Sequence, residues 1–264
     1  MGYVRHRSLL PIWQPLTVEA VVRSAGVRDA APLSWESLSA SASLVTTPCG
    51  APIRTIVTGR RVITTGVYAS RKAGRPLPHE SMNELAFFMH CEVDTEVADY
   101  RAQPFRLEFV IEGRKRTYIV DCVRLMADGG IEVVEVKSDP RALQDPDYAE
   151  KLQAVRTICE QVGWRFRLVF MKALIERAPL HRNVTDVQSR RMTDYTGADV
   201  FRVVEFVRRS GEAALGELAQ HLGARALGFA KLKAMMVGRI VCIDLAQPIG
   251  DASRVVLVPD RRGA

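Results

Sequence analysis

Apolar and polar positions alternate in two neighbouring stretches near the middle of the chain. Thr117–Met126 and Ile131–Lys137 are rich in β-branched residues, and Asp128-Gly129-Gly130 between them predicts a hairpin. A period of two puts Glu135 and Lys137 on one face with Ile131 and Val133. Three loop residues would set Asp121 on that face too, nearly opposite Lys137 and diagonal to Glu135. Upstream the spacing turns helical: Leu85, Phe88 and Met89 form a core-facing stripe behind Ser81-Met82-Asn83-Glu84. Downstream, Ser138-Asp139-Pro140 ends the strand, and a helix from about Asp145-Pro146 carries the stripe Tyr148, Leu152, Val155, Cys159 and Val162, stopped by Gly163. Arg165–Phe170 follows as a strand, which predicts a strand–helix–strand crossover with its two strands parallel.

Residues 177–199 are polar and Arg-rich and read as a linker. Beyond them the pattern predicts helices over Asp199–Arg209, Glu212–Leu222 and Arg225–Val237, with Gly223 turning the chain, and strands over Arg239–Leu245 and Arg254–Val258. Three helices followed by a hairpin suit a small winged-helix-like domain at 200–264. Arg225, Lys231 and Lys233 on its third helix are then candidates for a DNA major groove; docking of a protein partner is the competing reading.

Composition narrows the class. At 264 residues and 47% hydrophobic, the chain can bury one sizeable core and a smaller second one. It has no run approaching the ~20 apolar residues of a membrane span, and residues 1–7 lack the apolar stretch of a signal peptide. No membrane role is expected. The five cysteines form no Cys-x-x-Cys pair, and their odd number argues for reduced thiols and a cytoplasmic protein. Charge is unevenly spread: residues 1–80 carry net +6, 81–199 net −3 and 200–264 net +4. An acidic centre between basic flanks suits an ion site serving a phosphate-bearing polymer. Arg71, Lys72 and Arg75 are candidate backbone-phosphate contacts, or simply a solvated basic loop. Lys151 and Gln153 could reach DNA from the helix after the hairpin.

The hairpin residues carry recognisable chemistry. Two carboxylates such as Asp121 and Glu135 can hold Mg²⁺ while leaving sites for water and a phosphate oxygen, and Lys137 can orient that water or stabilise developing charge. The plain alternative is surface patterning, since Glu-x-Lys on a strand is common. Glu84 has two readings as well. Ser81-x-x-Glu84 is a capping box, yet the helix must pack on the sheet and so could bring Glu84 to the same site.

Five short motifs in order resemble a known family: Gly66–Arg75, Glu80–Glu84, Val97–Pro104, Thr117–Asp121 and Glu135–Lys137. Together they look like the TnsA-type endonuclease subunit of heteromeric bacterial transposases, over roughly residues 58–140. The resemblance implies an α/β restriction-endonuclease-like (PD-(D/E)XK) fold, a mixed central sheet flanked by helices. It implies an endonuclease domain at 58–176, its catalytic core at 81–170, with 1–57 of unassigned role. It also implies an active site of Glu84, Asp121, Glu135 and Lys137, with Mg²⁺ (or Mn²⁺) held by the three acids and the Val136 backbone carbonyl. Implied partners are double-stranded DNA at transposon ends, a DDE-type transposase subunit and an ATPase regulator. Where family members often have Pro-Asp-Phe, this chain has Val120-Asp121-Cys122, a change that touches packing more than ion binding. A stand-alone restriction or repair nuclease on the same fold is the runner-up. A non-catalytic DNA-binding accessory protein is the third reading, against which the intact Asp121, Glu135 and Lys137 count.

Overall fold

The structure, a computed structural model, describes residues 42–47, 51–54, 64–111 and 113–259. The expected domain start at residue 58 lies outside them. Strands β1 (Ser43–Thr46), β2 (Gly66–Ser70) and β3 (Arg75–His79) precede helix α1 (Met82–Val93). A long two-stranded ribbon follows. Its outgoing arm is β4 (Val97–Ala102) and β5 (Phe105–Ile111); its returning arm is β6 (Arg114–Ile119) and β7 (Cys122–Met126).

The ribbon bends where Gln103-Pro104 faces Val120-Asp121, between the pairs Ala102↔Cys122 and Arg106↔Ile119. Pro104 has no N–H to give the ladder, and Gln103 takes a left-handed backbone (φ +44°) that an L-residue seldom adopts. Its N–H still reaches the Asp121 carbonyl at 3.1 Å. The bend divides the ribbon between two sheets. β5 and β6 join β1, so part of the segment expected to be unassigned is an edge strand beside the nuclease core. β4 and β7 join β8 (Ile131–Lys137) and β9 (Arg165–Phe170) in the order β4-β7-β8-β9.

The β7–β8 hairpin differs from expectation in register. Leu125 pairs with Ile131, and the Met126 N–H donates to the Gly130 carbonyl, so the loop is Ala127-Asp128-Gly129, with Gly129 left-handed (φ +83°). The loop has the expected length but begins one residue earlier, which slides the strands by two. Asp121 therefore comes level with Glu135 rather than Lys137, and because the slide is even, its face is unchanged. The Arg124↔Glu132 pair, a buried ion pair with Arg124 over the Phe87 ring, helps hold this register.

Helix α2 (Pro146–Gln161), capped by Asp145, crosses from β8 to a parallel β9, as the sequence predicts. One face of the sheet packs Cys122, Val134 and Val136 on Phe87, Phe88 and Cys91 of α1. The other packs Val123, Ile131 and Val133 on Leu152, Val155 and Cys159 of α2. The result is a mixed sheet between helical layers.

The C-terminal third holds α3 (Met171–Ile175), α4 (Leu180–Ser189), α5 (Gly197–Ser210), β10 (Ala213–Ala214), α6 (Leu215–Gln220), α7 (Arg225–Val237), β11 (Val241–Ile243) and β12 (Arg254–Leu257). The strands form an antiparallel sheet ordered β10-β12-β11. Two expectations need correction. Residues 177–199 contain α4, which buries Asn183, Val184, Val187 and Gln188 on one face; with only two of those four apolar, the stripe is faint in the sequence. The helices after it also do not pack by themselves. A single cluster joins Leu215 and Leu218 of α6 and Leu232, Met235 and Met236 of α7 to Val184 and Val187 of α4 and Val93 of α1.

Candidate active site

Asp121 is positioned by the ribbon's bend. Having left the ladder, its side chain takes over a ladder contact, and Oδ2 accepts the Val136 N–H at 2.8 Å. Because N–H and C=O of one strand residue point to the same side, the Val136 carbonyl is directed toward Asp121 as well. Burial and then the neighbouring Glu135 push the Asp121 carboxyl well above its usual range, while Lys137 and the Val136 amide draw it back. Lys137 Nζ lies 2.5 Å from Glu135 Oε1. Burial opposes its charge, but Glu135 and Asp121 prevail and hold Lys137 protonated.

Glu135 has more partners than the sequence suggests. The buried Tyr118 hydroxyl donates to Oε2 at 2.6 Å, and the Tyr148 hydroxyl, from the first turn of α2, donates to Oε1. Sequence reading placed Tyr148 only as a core stripe residue and gave Tyr118 no role. Tyr118 shares a β6 face with nothing that announces chemistry, and only the folded ribbon brings it to β8.

Glu84 arrives from the other side of the sheet, at the start of α1. Its backbone N–H donates to Ser81 Oγ at 3.1 Å, and its carboxylate accepts the Glu80 N–H at 2.7 Å. The expected donor was the Ser81 amide, one residue later. Burial raises its pKa, the Glu80 amide lowers it, and the field of Lys137 reaches it; Glu84 in turn raises Asp121. Capping and proximity to the strand end therefore coexist. Among the described residues, no three His, Cys, Asp or Glu side chains stand close enough together to hold a metal ion. Asp121 and Glu135 make a pair of carboxylates, and Glu84 is turned to its own helix start.

The expected DNA contacts fare unevenly. Lys72 is a helix cap: Nζ donates to the Cys91 and Asp94 carbonyls at the end of α1, and burial lowers its pKa to about 8. Arg71 donates to the Arg191 and Thr193 carbonyls and lies over the Tyr195 ring, tying the β2–β3 turn to the C-terminal third. Arg75 Nε meets the Ala73 carbonyl at 3.3 Å. Lys233 is buried against Asp186, and Lys231 binds Asp199 and the Leu222 carbonyl. Leu232–Val237 are wholly buried, so the C-terminal half of α7 belongs to the core, while Arg225, Ala226 and Leu227 of its first turn are exposed. Arg225 is exposed and engages Asp251. Gln153 is exposed, and Lys151 is half-buried over the Tyr148 ring at 5.0 Å, beside the site.

A protein-family comparison matches residues 94–170 to the TnsA-like endonuclease N-terminal domain. The match runs from the start of β4 to the end of β9, the elements that carry Asp121, Glu135 and Lys137. Residues 94–170 are thus similar to that endonuclease domain. No curated protein matches the chain. The mixed sheet with helices on both faces is the restriction-endonuclease-like fold of such domains. Glu84 lies outside the matched stretch, although α1 packs on the domain's sheet. No described helix is long and apolar enough to cross a membrane. The four described cysteines, 91, 122, 159 and 242, are unpaired; Cys49 lies outside the described residues.

Proposed function

We propose that this TnsA-like protein is the divalent-metal-dependent DNA endonuclease subunit of a heteromeric transposase, cutting at transposon 5′ ends. The observation that carries the reading is the meeting of Asp121, Glu135 and Lys137 at the ribbon bend, inside the family match. The donor set fits a hard cation. Burial first, and then the neighbouring Glu135 carboxylate, raise Asp121, and a divalent ion would relieve both by supplying the missing positive charge. Asp121, Glu135 and the Val136 carbonyl would hold Mg²⁺, or Mn²⁺ in its place, and Glu84 would complete the set on turning from the Glu80 amide. Bound there, the ion supplies charge stabilisation at the phosphoryl group and a more acidic water.

The protein's own groups do the rest. Lys137 stays an ammonium, so it donates to the attacking water or to the phosphoryl oxygen on which charge develops, and does not act as the base. The water oxygen bonds to phosphorus in line as the bond to O3′ breaks, leaving a 3′-hydroxyl and a 5′-phosphate. Lys151, half-buried beside Tyr148, and the exposed Gln153 of α2 would meet the DNA backbone. From α5 to β12 the order is helix, strand, helix, helix, strand, strand, which we read as winged-helix-like. Since Lys231 and Lys233 are engaged by Asp199 and Asp186, docking of a partner is favoured over groove reading. The partners would be a DDE-type transposase and an ATPase regulator, in the cytoplasm.

The test is cleavage of double-stranded DNA bearing transposon ends, with Mg²⁺ and the partner proteins present. Asp121→Asn abolishes 5′-end cleavage and leaves the melting temperature of the ion-free protein unchanged or higher, because it removes one of two repelling carboxylates. Retained cleavage by Asp121→Asn overturns the site.

A further inference from the structure

Both oxygens of Glu135 are held by phenols that come from different layers. Tyr118 on β6 is buried and donates to Oε2 at 2.6 Å. Tyr148 stands in the first turn of α2, half-buried, and donates to Oε1, which also takes Lys137 Nζ at 2.5 Å. A carboxylate offers about four lone-pair sites, so three are engaged. Oε1 carries two of those partners.

We propose that the two tyrosines play opposed parts toward the cation. Tyr118 is a positioning residue that holds Glu135 in its working orientation, and Tyr148 is a latch on Oε1 that the incoming cation displaces. The inference rests on the metal-site reading above. The asymmetry follows from where each ring sits. Tyr118 is enclosed by the sheet and cannot leave without opening the core around Phe105, Leu107 and Val120. Tyr148 lies at a helix start between two ammonium groups, with Lys137 Nζ 5.2 Å and Lys151 Nζ 5.0 Å from its ring centre. Its hydroxyl can swing to solvent or to a DNA phosphate without opening that core. Each phenol donates its hydroxyl proton to Glu135, so each enters the arrangement as a neutral donor. On Oε1 the Lys137 ammonium already offsets part of the carboxylate charge and the neutral Tyr148 phenol offsets none, so the phenol is the partner whose place a divalent cation takes at the least electrostatic cost. Exchange of Tyr148 for the cation is therefore favourable, and the latch reduces affinity by the hydrogen bond that must first be broken.

The experiment is calorimetric titration of the full-length protein with Ca²⁺, a hard cation with the same oxygen preference. Wild type, Tyr148→Phe, Tyr118→Phe and Asp121→Asn are compared, with melting temperatures measured alongside. Tyr148→Phe is expected to bind about tenfold more tightly and Tyr118→Phe about tenfold more weakly, the size of one hydrogen bond to a charged acceptor. A merely structural role for the tyrosines would shift melting and leave affinity alone, or shift both affinities downward. If Asp121→Asn loses Ca²⁺ while both tyrosine variants match wild type or move in the same direction, the proposal is overturned and the metal site stands. If Asp121→Asn binds as wild type does, the metal site falls, and the proposal with it. Should Tyr118→Phe fail to fold, Tyr148→Phe decides alone: affinity equal to or below wild type overturns the latch.

Discussion

A chain ended at Asp199 tests whether the C-terminal third is an appendage or part of the nuclease core. Removing residues 200–264 strips α5, α6 and α7 from one cluster and uncovers Val93, Val184 and Val187, which are 1%, 3% and 0% exposed in the whole protein. Full burial of such side chains is worth about 1.5–3 kcal/mol each, with valine at the low end. The three together lose about 5 kcal/mol before Met89 and Leu180, which pack on the same cluster, are counted. A domain is stable by only about 5–15 kcal/mol, so the loss is a third of that or more. At roughly 2–4 °C per kcal/mol for a chain of this size, the melting temperature should fall by about 10–20 °C, or the transition should lose cooperativity. Circular dichroism melting reads the fall, and amide exchange in α1 reads its cause, since Val93 is the last residue of that helix. A shortened chain that melts within about 5 °C of the whole protein, with α1 equally protected, would falsify the claim that the modules share a core.

Two further predictions concern single side chains. Glu84→Gln keeps an oxygen to accept the Glu80 N–H, so stability should change by less than about 0.5 kcal/mol while cleavage is lost; Glu84→Ala should also cost about 0.5–2 kcal/mol of stability. Full cleavage by Glu84→Gln would leave Glu84 a cap only. The second is a pH effect at Lys72, whose pKa burial lowers to about 8 from the ordinary lysine value of 10.5. Between those values the unfolded chain binds the extra proton, so this group makes the protein more stable as pH rises from 8 to 10.5. Urea unfolding of wild type and Lys72→Met across that range should show wild type gaining on the variant, by up to about 3 kcal/mol; a constant difference would refute the buried ammonium.

The layered core was legible because its signals are local. Proline at the start of α2, the stripe through Leu152, Val155 and Cys159, and Gly163 at its end lie within one helix, and the parallel β9 follows from the handedness of crossovers. What failed depends on partners far away in sequence. α4 reads as a polar linker because half its buried face is Asn183 and Gln188, and these are acceptable inside only because the fold supplies partners: the Leu245 and Gln247 carbonyls for Asn183, and Arg191 for Gln188. Lys72, Lys231 and Lys233 read as DNA contacts for the same reason. A lysine's sequence neighbours do not tell whether its ammonium meets water or a carbonyl 19 residues on, as Lys72 does at Cys91.

The candidate site shows the same division at closer range. That Asp121 and Glu135 share a face could be read from the sequence despite a wrong register, because sliding an antiparallel pair by two leaves faces intact. That they stand level, with the Asp121 carboxylate on the Val136 amide, could not, since it depends on a one-residue shift in where the loop begins and on the bend at Gln103-Pro104. The left-handed Gln103 is the residue a sequence reading is most apt to get wrong, because a residue before proline normally stays extended. The strained position and the carboxylate it supports are coupled. Gln103 gives its N–H to the Asp121 carbonyl, so the conformation that local preference disfavours holds Asp121 out of the ladder and frees its side chain. Backbone strain of this kind persists only where surrounding structure over-determines it, and here β4, β5, β6 and β7 all converge on the bend. The sequence therefore names the acids, and the strained bend, supplied by four strands at once, makes them a site.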